Sequence, residues 1–503
     1  MKKKNIFVGI DLGTTNSLVS YIQDGKPQII PNERGERSTP SVVSIKNNGE
    51  ILVGEMAKTQ AVLNSDNTVS NVKLSMGKDV KYNIIDKEFS PVDISSLILK
   101  NLKENAEKYL NTKIIDTVIT VPAYFDDNQR TATQKAAELA GLNVLKLLNE
   151  PTAAALSFGF NKKEESRLLT VDLGGGTLDI TLMEYKDNKF TVKGIGGSTS
   201  IGGNNFDMAI IDFVLEEFKS MHSFDISQDK IAYQQLVIHA EKAKKDLSSA
   251  NETRIMIPYI TIREEGPIHL NISLDLDKFN NLIKTTLGEI EACINDTFEQ
   301  SGIDKDWVDS IILAGGATRV PAVETIVNSI IKNKNNKNTK KGKPENVNDS
   351  LIKRDINPDE AVCLGAGILA GIFEGSIPDM EFCDITSREL GVEDDEGKMV
   401  VIIPKGTSYP LSVTHLFTTT QENQDEVIIH VLQDGDNTGN IKDSDQKMVS
   451  LGKFHLKVAP DKKEGEPNID VTFTINMNGI LKVSAIDLDS GQAGEIIIRD
   501  KQK

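Results

Sequence analysis

Residues 7–17 read Phe7-Val8-Gly9-Ile10-Asp11-Leu12-Gly13-Thr14-Thr15-Asn16-Ser17, and residues 168–180 read Leu168-Leu169-Thr170-Val171-Asp172-Leu173-Gly174-Gly175-Gly176-Thr177-Leu178-Asp179-Ile180. Each is an apolar, strand-like run, then Asp-Leu-Gly, then a tight turn with Gly and Thr, then a second β-rich run. The pattern predicts two hairpins whose turns aim backbone N–H groups at an anion. Two such turns facing each other would clamp a polyphosphate. Asp11, Asp172 and Asp179 would hold a hydrated Mg²⁺ against it. One copy is weak evidence, because a Gly-rich hairpin with a solvated Asp reads the same way. Two matched copies in one chain make that bland reading hard to sustain.

The chain has 503 residues, long enough for two or more domains. A net charge of −17 argues against a nucleic-acid surface. The three cysteines, Cys293, Cys363 and Cys383, have no metal-ligand spacing and form no disulfide framework, so a reducing compartment is expected. The apolar run from Ile6 to Ile10 is too short for a signal sequence, and no stretch approaches a membrane span. The expected location is the cytoplasm, with no membrane partner.

Residues 5–375 alternate strand-like and helix-like segments, which predicts α/β architecture. A buried strand is expected over 115–121, closed by Pro122, then a helix over 126–140. A second helix is expected over 230–250 and a short strand over 310–313. Residues 333–354 hold six Lys and six Asn and read as a flexible basic surface insertion. From Thr386 the pattern becomes short alternating strands, at 399–403, 427–432, 454–458, 471–475 and 480–486, separated by turn signals such as Asn478-Gly479. The expected organisation is therefore an α/β unit over 1–376, a linker over 377–385 and an all-β module over 386–503.

Other segments suit a nucleotide. Glu241, Lys244 and Ser248 share one helix face, which suits a ribose and a purine edge, although an exposed charged helix looks the same. Gly315 and Gly316 follow a strand and let a planar base approach the backbone, where Arg319 can stack on it. Lys73 has no local signature and by itself reads as a surface lysine.

Taken together, GIDLGTTNS, TVPAYFDDNQRTAT, LLNEPTAAAL, DLGGGTLDI, EKAKKDLSSA, AGGATRVP and NPDEAV resemble the seventy-kilodalton heat-shock chaperones of the bacterial DnaK type, in order and over nearly the whole chain. The resemblance implies an actin-like (ribonuclease H-like) two-lobed ATPase domain followed by a β-sandwich peptide-binding domain. It implies an ATP-dependent chaperone that binds unfolded or nascent polypeptides, with ATP/ADP, Mg²⁺ and K⁺ as cofactors. Partners would be a J-domain co-chaperone and, from the longer loop over 259–271, a GrpE-type exchange factor. By resemblance, Lys73 would approach the γ-phosphate and position the attacking water. Asp11, Asp172 and Asp179 would hold the metal, with Glu150 on its water shell. Gly13, Thr14, Thr15, Asn16, Gly174, Gly175, Gly176, Thr177, Gly202 and Gly203 would line the phosphates. Glu241, Lys244, Ser248, Gly315, Gly316, Arg319 and Asp359 would line the adenosine. Pro122 and Arg130 would couple the nucleotide to the β-module. Val392, Phe417, Val427, Ile429 and Ile480 would line its peptide pocket, each of which reads equally as sandwich core.

The chain departs from the family pattern most at its end and in its linker, with smaller changes at Leu74, Asn204, Asn205, Ala317 and Asp395. Relatives continue into a helical lid, and here only charged residues follow Ile498, which reads as a lidless chain or a lid lost to truncation. The linker is interrupted by Glu381, and Arg388-Glu389 replaces a more apolar pair. A linker docked as an edge strand would bury these charges at a cost of several kcal/mol or so if unpaired, so weak coupling between the domains is expected. The alternative function is thus a specialised peptide- or partner-binding relative. A sugar or glycerol kinase shares the two-lobed fold but has no place for a C-terminal β-module.

Overall fold

The computed structural model describes residues 6–160, 165–263, 266–332, 351–354, 356–378, 380–434, 448–459 and 462–497. The Asp-Leu-Gly repeat of the sequence is a repeat of topology. Strand Val8–Asp11 pairs antiparallel with Asn16–Gln23 and parallel with Asp116–Val121. Strand Ser166–Leu173 pairs antiparallel with Leu178–Lys186 and parallel with Ser310–Ala314. Both turns are therefore hairpins, each at the end of a central strand whose residues are buried on both faces, as the continuous apolar runs predict.

Each repeat anchors one lobe. The first sheet runs Asn143–Asn149, Asp116–Val121, Val8–Asp11, Asn16–Gln23, Lys26–Ile30. The second runs Ile352–Lys353, Ser310–Ala314, Ser166–Leu173, Leu178–Lys186, Lys189–Ser198, Glu381–Ile385, Ser408–Tyr409. Residues 333–350 of the expected insertion lie outside the described residues. Its last residues do not belong to a surface segment: Ile352–Lys353 closes the edge of the second sheet against Ser310–Ala314. Helices Glu150–Gly159 and Ala361–Glu374 are buried almost all round, which suits elements packed on several sides. They pack very closely. A Cβ on Gly365 would stand 1.8 Å from the Ala153 carbonyl oxygen, so only glycine fits the crossing.

The C-terminal module is a pair of four-stranded antiparallel sheets. One runs Met399–Ile403, Leu390–Glu393, Glu426–Gln433, Val449–Lys457, and the other Leu411–Phe417, Ile469–Ile475, Leu481–Asp487, Ala493–Ile497. Strict alternation over Ile469–Ile475 puts Val471 and Phe473 in the core, against Val431, Leu456 and Val483.

The linker departs from expectation. Strand Glu381–Ile385 adds in parallel to Lys189–Ser198 of the second lobe and antiparallel to Ser408–Tyr409 of the β-module. Glu381 does not enter the interior. Its side chain is 75% exposed and pairs at 3.4 Å with Lys189, its cross-strand neighbour, so no desolvation cost arises. Phe382 turns inward and stacks on Phe190, with ring centroids 5.7 Å apart. The charges that are buried find partners. Asp384 accepts from Thr152 Oγ1 at 3.2 Å, and Arg388 lies 5.1 Å over the Tyr124 ring. Lys146 donates to the Met477 carbonyl at 2.6 Å, the Leu147 N–H to Asn478 Oδ1 at 3.3 Å, and the Leu481 N–H to Asp127 Oδ1 at 2.8 Å.

Docking should therefore depend on pH. Burial under Leu481 pushes the Asp127 carboxyl up to about 7, against the lowering effects of the Leu481 N–H and Arg130. Undocked and uncovered, the group returns to an ordinary carboxylate value. The docked form thus holds this proton more tightly, and docking is favoured at low pH and weakens as pH rises through 7. Linkage makes the change about tenfold between pH 6 and 8. Burial pushes Lys146 down, which acts in the opposite sense at higher pH. Asp127→Asn keeps an acceptor for Leu481 and should remove the pH 6–8 dependence. Cleavage of the linker by a protease, compared between the two proteins at each pH, reads the docking equilibrium; parallel pH curves would remove Asp127 as the cause.

Candidate functional site

The two hairpin turns meet. A Cβ on Gly175 would stand 2.0 Å from Thr15 Oγ1, so the second turn presses directly on the first. Other glycines close the ring. The Gly203 N–H donates to the Gly174 carbonyl at 2.9 Å and the Asn204 N–H to Gly175 at 2.7 Å. A Cβ on Gly202 would stand 2.5 Å from the Gly176 nitrogen, and one on Gly315 2.6 Å from Asp172 Oδ1. Gly13 is fixed by Ser41, whose hydroxyl donates to its carbonyl at 2.8 Å, while the Ser41 N–H donates to Thr15 O at 2.8 Å. Thr14 and Thr177 are buried beside their turns, and Asn16 is exposed at the start of its strand.

Beneath the turns lies a charge cluster. Asp172 and Asp179 stand directly opposite each other in the second hairpin. Asp11 accepts from Thr120 Oγ1 at 2.9 Å, and Asp179 accepts from the Tyr124 N–H at 3.3 Å. Lys73 is 4% exposed on the short helix Val72–Ser75 and forms an ion pair with Glu150, which begins helix Glu150–Gly159. Lys73 is therefore not the surface residue its local sequence suggests. Its neighbours Val72 and Met76 are core residues, and they pull the lysine inward.

The electrostatics follow from crowding. Burial, then the Glu150 charge, pushes Asp11 up to about 6 and Asp179 up to about 7. The same two causes raise Asp172 well above the carboxylate range. Burial alone would depress Lys73, but Glu150 and Asp11 hold its ammonium above the ordinary lysine value. Four carboxylates share one ammonium, so the cluster is short of positive charge. Among the described residues, no three acidic, His or Cys side chains converge at direct-ligation geometry.

The second-lobe face is also assembled. Lys244 donates to Asp207 at 2.7 Å and to the Gly203 carbonyl at 3.1 Å, and Ser248 donates back to the Lys244 carbonyl. Glu241 bridges the lobes, accepting from Lys58 of the first lobe at 2.6 Å and from Lys245 at 2.6 Å. Burial alone would raise its carboxyl, but those two lysines hold it down at about 2. Arg319 is held by Asp359 and Asn357, each at 2.6 Å. A Cβ on Gly316 would stand 2.9 Å from Asp359 Oδ1. Sequence reasoning missed Ser41, Lys58, Thr120 and Asp207. Each lies far along the chain from the side chain or turn it holds, so no local pattern marks it.

Pro122 ends its strand and Arg130 lies 5% exposed on the following helix. The guanidinium donates to Asn149 Oδ1 at 2.7 Å and to the Phe125 carbonyl at 3.2 Å. Asn149 precedes Glu150, so consecutive residues hold Arg130 and Lys73. In the β-module, Val392 and Ile429 are buried, with Phe417 and Val427 packed beside them. Ile480 does not join them. It follows the turn after Asn476 and packs against the first-lobe core, on the interdomain face. Ile469 stands opposite Phe417 in register and belongs to the sandwich core instead.

Comparison with protein-family models matches the Hsp70 protein family over residues 7–88 and 78–503. The chain belongs to the Hsp70 family. It is thereby an ATP-dependent chaperone and ATP hydrolase, of a family that binds ATP and ADP with Mg²⁺, unfolded polypeptides and co-chaperones. Among the described residues, no helix of this Hsp70 is long and apolar enough to cross a membrane.

Removing the Lys73 ammonium leaves its carboxylates uncompensated. Lys73→Met should lower the stability of the ligand-free protein at pH 8 by about 3 kcal/mol, the cost of breaking a buried pair. The loss should shrink at or below pH 6, where Asp179 and Asp11 take up protons. Lys73→Met with Glu150→Gln should recover part of it. Thermal midpoints at the two pH values test this; a pH-independent loss would assign the effect to packing alone.

Proposed function

We propose that the facing turns bind the phosphates of ATP and that Lys73 and the carboxylates beneath them carry its hydrolysis. The observation that supports this most strongly is the convergence of Thr15 on Gly175 directly above a cluster short of positive charge. The amides and hydroxyls of Gly13, Thr14, Thr15, Gly174, Gly175, Gly176 and Thr177 hold the β- and γ-phosphates. Lys244, Ser248, Gly315, Gly316 and Arg319 form the adenosine wall, with Asp359 holding Arg319 in place. Glu241 acts as the latch to Lys58 across the cleft.

The donor set suits a hard divalent cation, because four clustered carboxylates, all oxygen donors, share a single ammonium. Asp11, Asp172 and Asp179 would hold Mg²⁺ largely through its water shell, with Glu150 on that shell and K⁺ adding charge beside it. A bound divalent ion supplies charge neutralisation at the transferring phosphoryl group. The chain's own contribution is positional. Glu150 fixes the Lys73 ammonium, and Lys73 orients the attacking water and counters charge that develops at the γ-phosphate. Thr120 and the Tyr124 N–H hold Asp11 and Asp179 in register.

The β-module holds an extended polypeptide through main-chain hydrogen bonds beside Val392, Phe417, Val427 and Ile429. The DnaK-type reading adds a J-domain co-chaperone and a GrpE-type exchange factor as partners, in the cytoplasm. The outward position of the Glu381 side chain weakens one support for the alternative reading as a binding protein without allosteric cycling.

Lys73→Ala should reduce single-turnover hydrolysis by about a hundredfold or more, the scale for losing one preorganised donor. ATP affinity should change little, since the turn amides remain. Rapid-quench single-turnover rates and equilibrium nucleotide binding test this; a normal rate in Lys73→Ala would overturn the role of that residue.

A further inference from the structure

One polar cluster is not among the residues assigned above to nucleotide or peptide. It lies on the outward face of the sheet formed by Leu390–Glu393, Glu426–Gln433 and Val449–Lys457. There His430 bridges two neighbouring strands. Its Nδ1 is 2.6 Å from Glu393 Oε2, and its Nε2 is 2.8 Å from Ser450 Oγ. The hydrogen bonds fix the proton positions. A carboxylate only accepts, so Nδ1–H donates to Glu393. In the neutral ring Nε2 is then the acceptor, and the Ser450 hydroxyl donates to it.

The backbone is bent to achieve this. His430 pairs with Lys453 and Val431 with Gly452, so an unbroken ladder would place residue 450 opposite Gln433, on the other face. The register shifts between Val431 and Leu432, and Ser450 stands opposite Leu432 instead. This bulge brings Ser450 to the face of His430. Gly452, beside it, has φ 152, which favours glycine. Glu393 is next in register after the Val392–Val431 pair, which sets it beside His430. The imidazole is sheltered, with its side chain 12% exposed, while Ser450 is open to solvent.

We propose that Ser450, His430 and Glu393 form a nucleophilic acyl-transfer site that takes carboxylic esters presented at this open face. A hydroxyl paired to a base that a carboxylate orients is the arrangement that activates serine. Ser450 Oγ attacks the ester carbonyl carbon and its proton passes to His430 Nε2. The bond to the alcohol oxygen breaks, and the departing alkoxide takes that proton, leaving an acyl-serine. Water then attacks the acyl carbon and gives a proton to Nε2. The carbon–Ser450 bond breaks, the proton returns to Oγ, and a carboxylic acid is released. Glu393 keeps Nδ1–H in place throughout. Lys453, opposite His430 in register, brings a cation to the face where the oxyanion forms. Ser450 is exposed at this face, so the expected substrates are small and accessible esters.

The same three residues would also clamp strand register, and the test separates the two roles. The full chain is treated with p-nitrophenyl acetate and, separately, with a fluorophosphonate, and acylated or phosphonylated serines are located by mass spectrometry. Ser412 is the internal control, because it is exposed and its hydroxyl pairs with that of Thr474, with no basic partner among the described residues. Ser450 should be modified at least about a hundredfold faster than Ser412, the scale of general-base assistance. Glu393→Gln should slow it and shift its pH profile, and His430→Ala should bring it to the Ser412 rate. Modification of Ser450 no faster than Ser412 in the unaltered chain overturns the proposal and leaves a register clamp. Comparing two serines in one folded molecule keeps the result independent of any variant's stability.

Discussion

The ammonium of Lys73 among four carboxylates is the interaction on which the rest of this Hsp70 depends. Lys73 comes from the first lobe, Asp172 and Asp179 from the second, and Glu150 from a helix packed between them. A single cation therefore interacts with acids from both lobes and from that helix. Burial first, and then the crowding of Glu150 with the other carboxylates, pushes the cluster's acids toward the neutral form. The cluster's shortfall of positive charge fits the divalent ion proposed for this site.

The cluster also reaches outward. Glu150 holds Lys73, its neighbour Asn149 holds Arg130, and Arg130 lies in the helix whose Asp127 receives the Leu481 N–H of the β-module. On a second route, Asp179 accepts from the Tyr124 N–H, and the Tyr124 ring lies under Arg388. These contacts are contiguous, which makes coupling between the sites physically available. Whether the chain uses them depends on two states of the docked linker that nucleotide and peptide bias differently.

Much of this was legible in the sequence, and the reasons differ by residue. The Asp-Leu-Gly turns carry their own signal, since the strand, acid and glycine are consecutive. The helix after Pro122 shows its start in Asp126 and Gln129, which form a capping box as side chains and backbone. Lys73 had no such signal; its burial comes from the core residues around it. Glu381 was misjudged because composition alone does not say which face of a docked strand a residue takes. With Phe382 inward, the period of two sends Glu381 outward. Ile480 takes a peptide-pocket role only by resemblance, whereas the turn before it projects at the other domain. The Glu393, His430 and Ser450 cluster was invisible because a one-residue bulge decides it.

The contacts from Lys73 through Glu150 and Asn149 to Arg130 predict that nucleotide biases docking of the linker. Hydrogen exchange at the amides of strand Glu381–Ile385, with ATP and with ADP, tests it most directly. In the parent protein ATP should protect these amides relative to ADP. In Asn149→Ala, which leaves the phosphate turns intact, ATP should still bind while the strand exchanges as it does with ADP. Equal protection with both nucleotides in the parent, or full ATP protection in Asn149→Ala, would contradict the account.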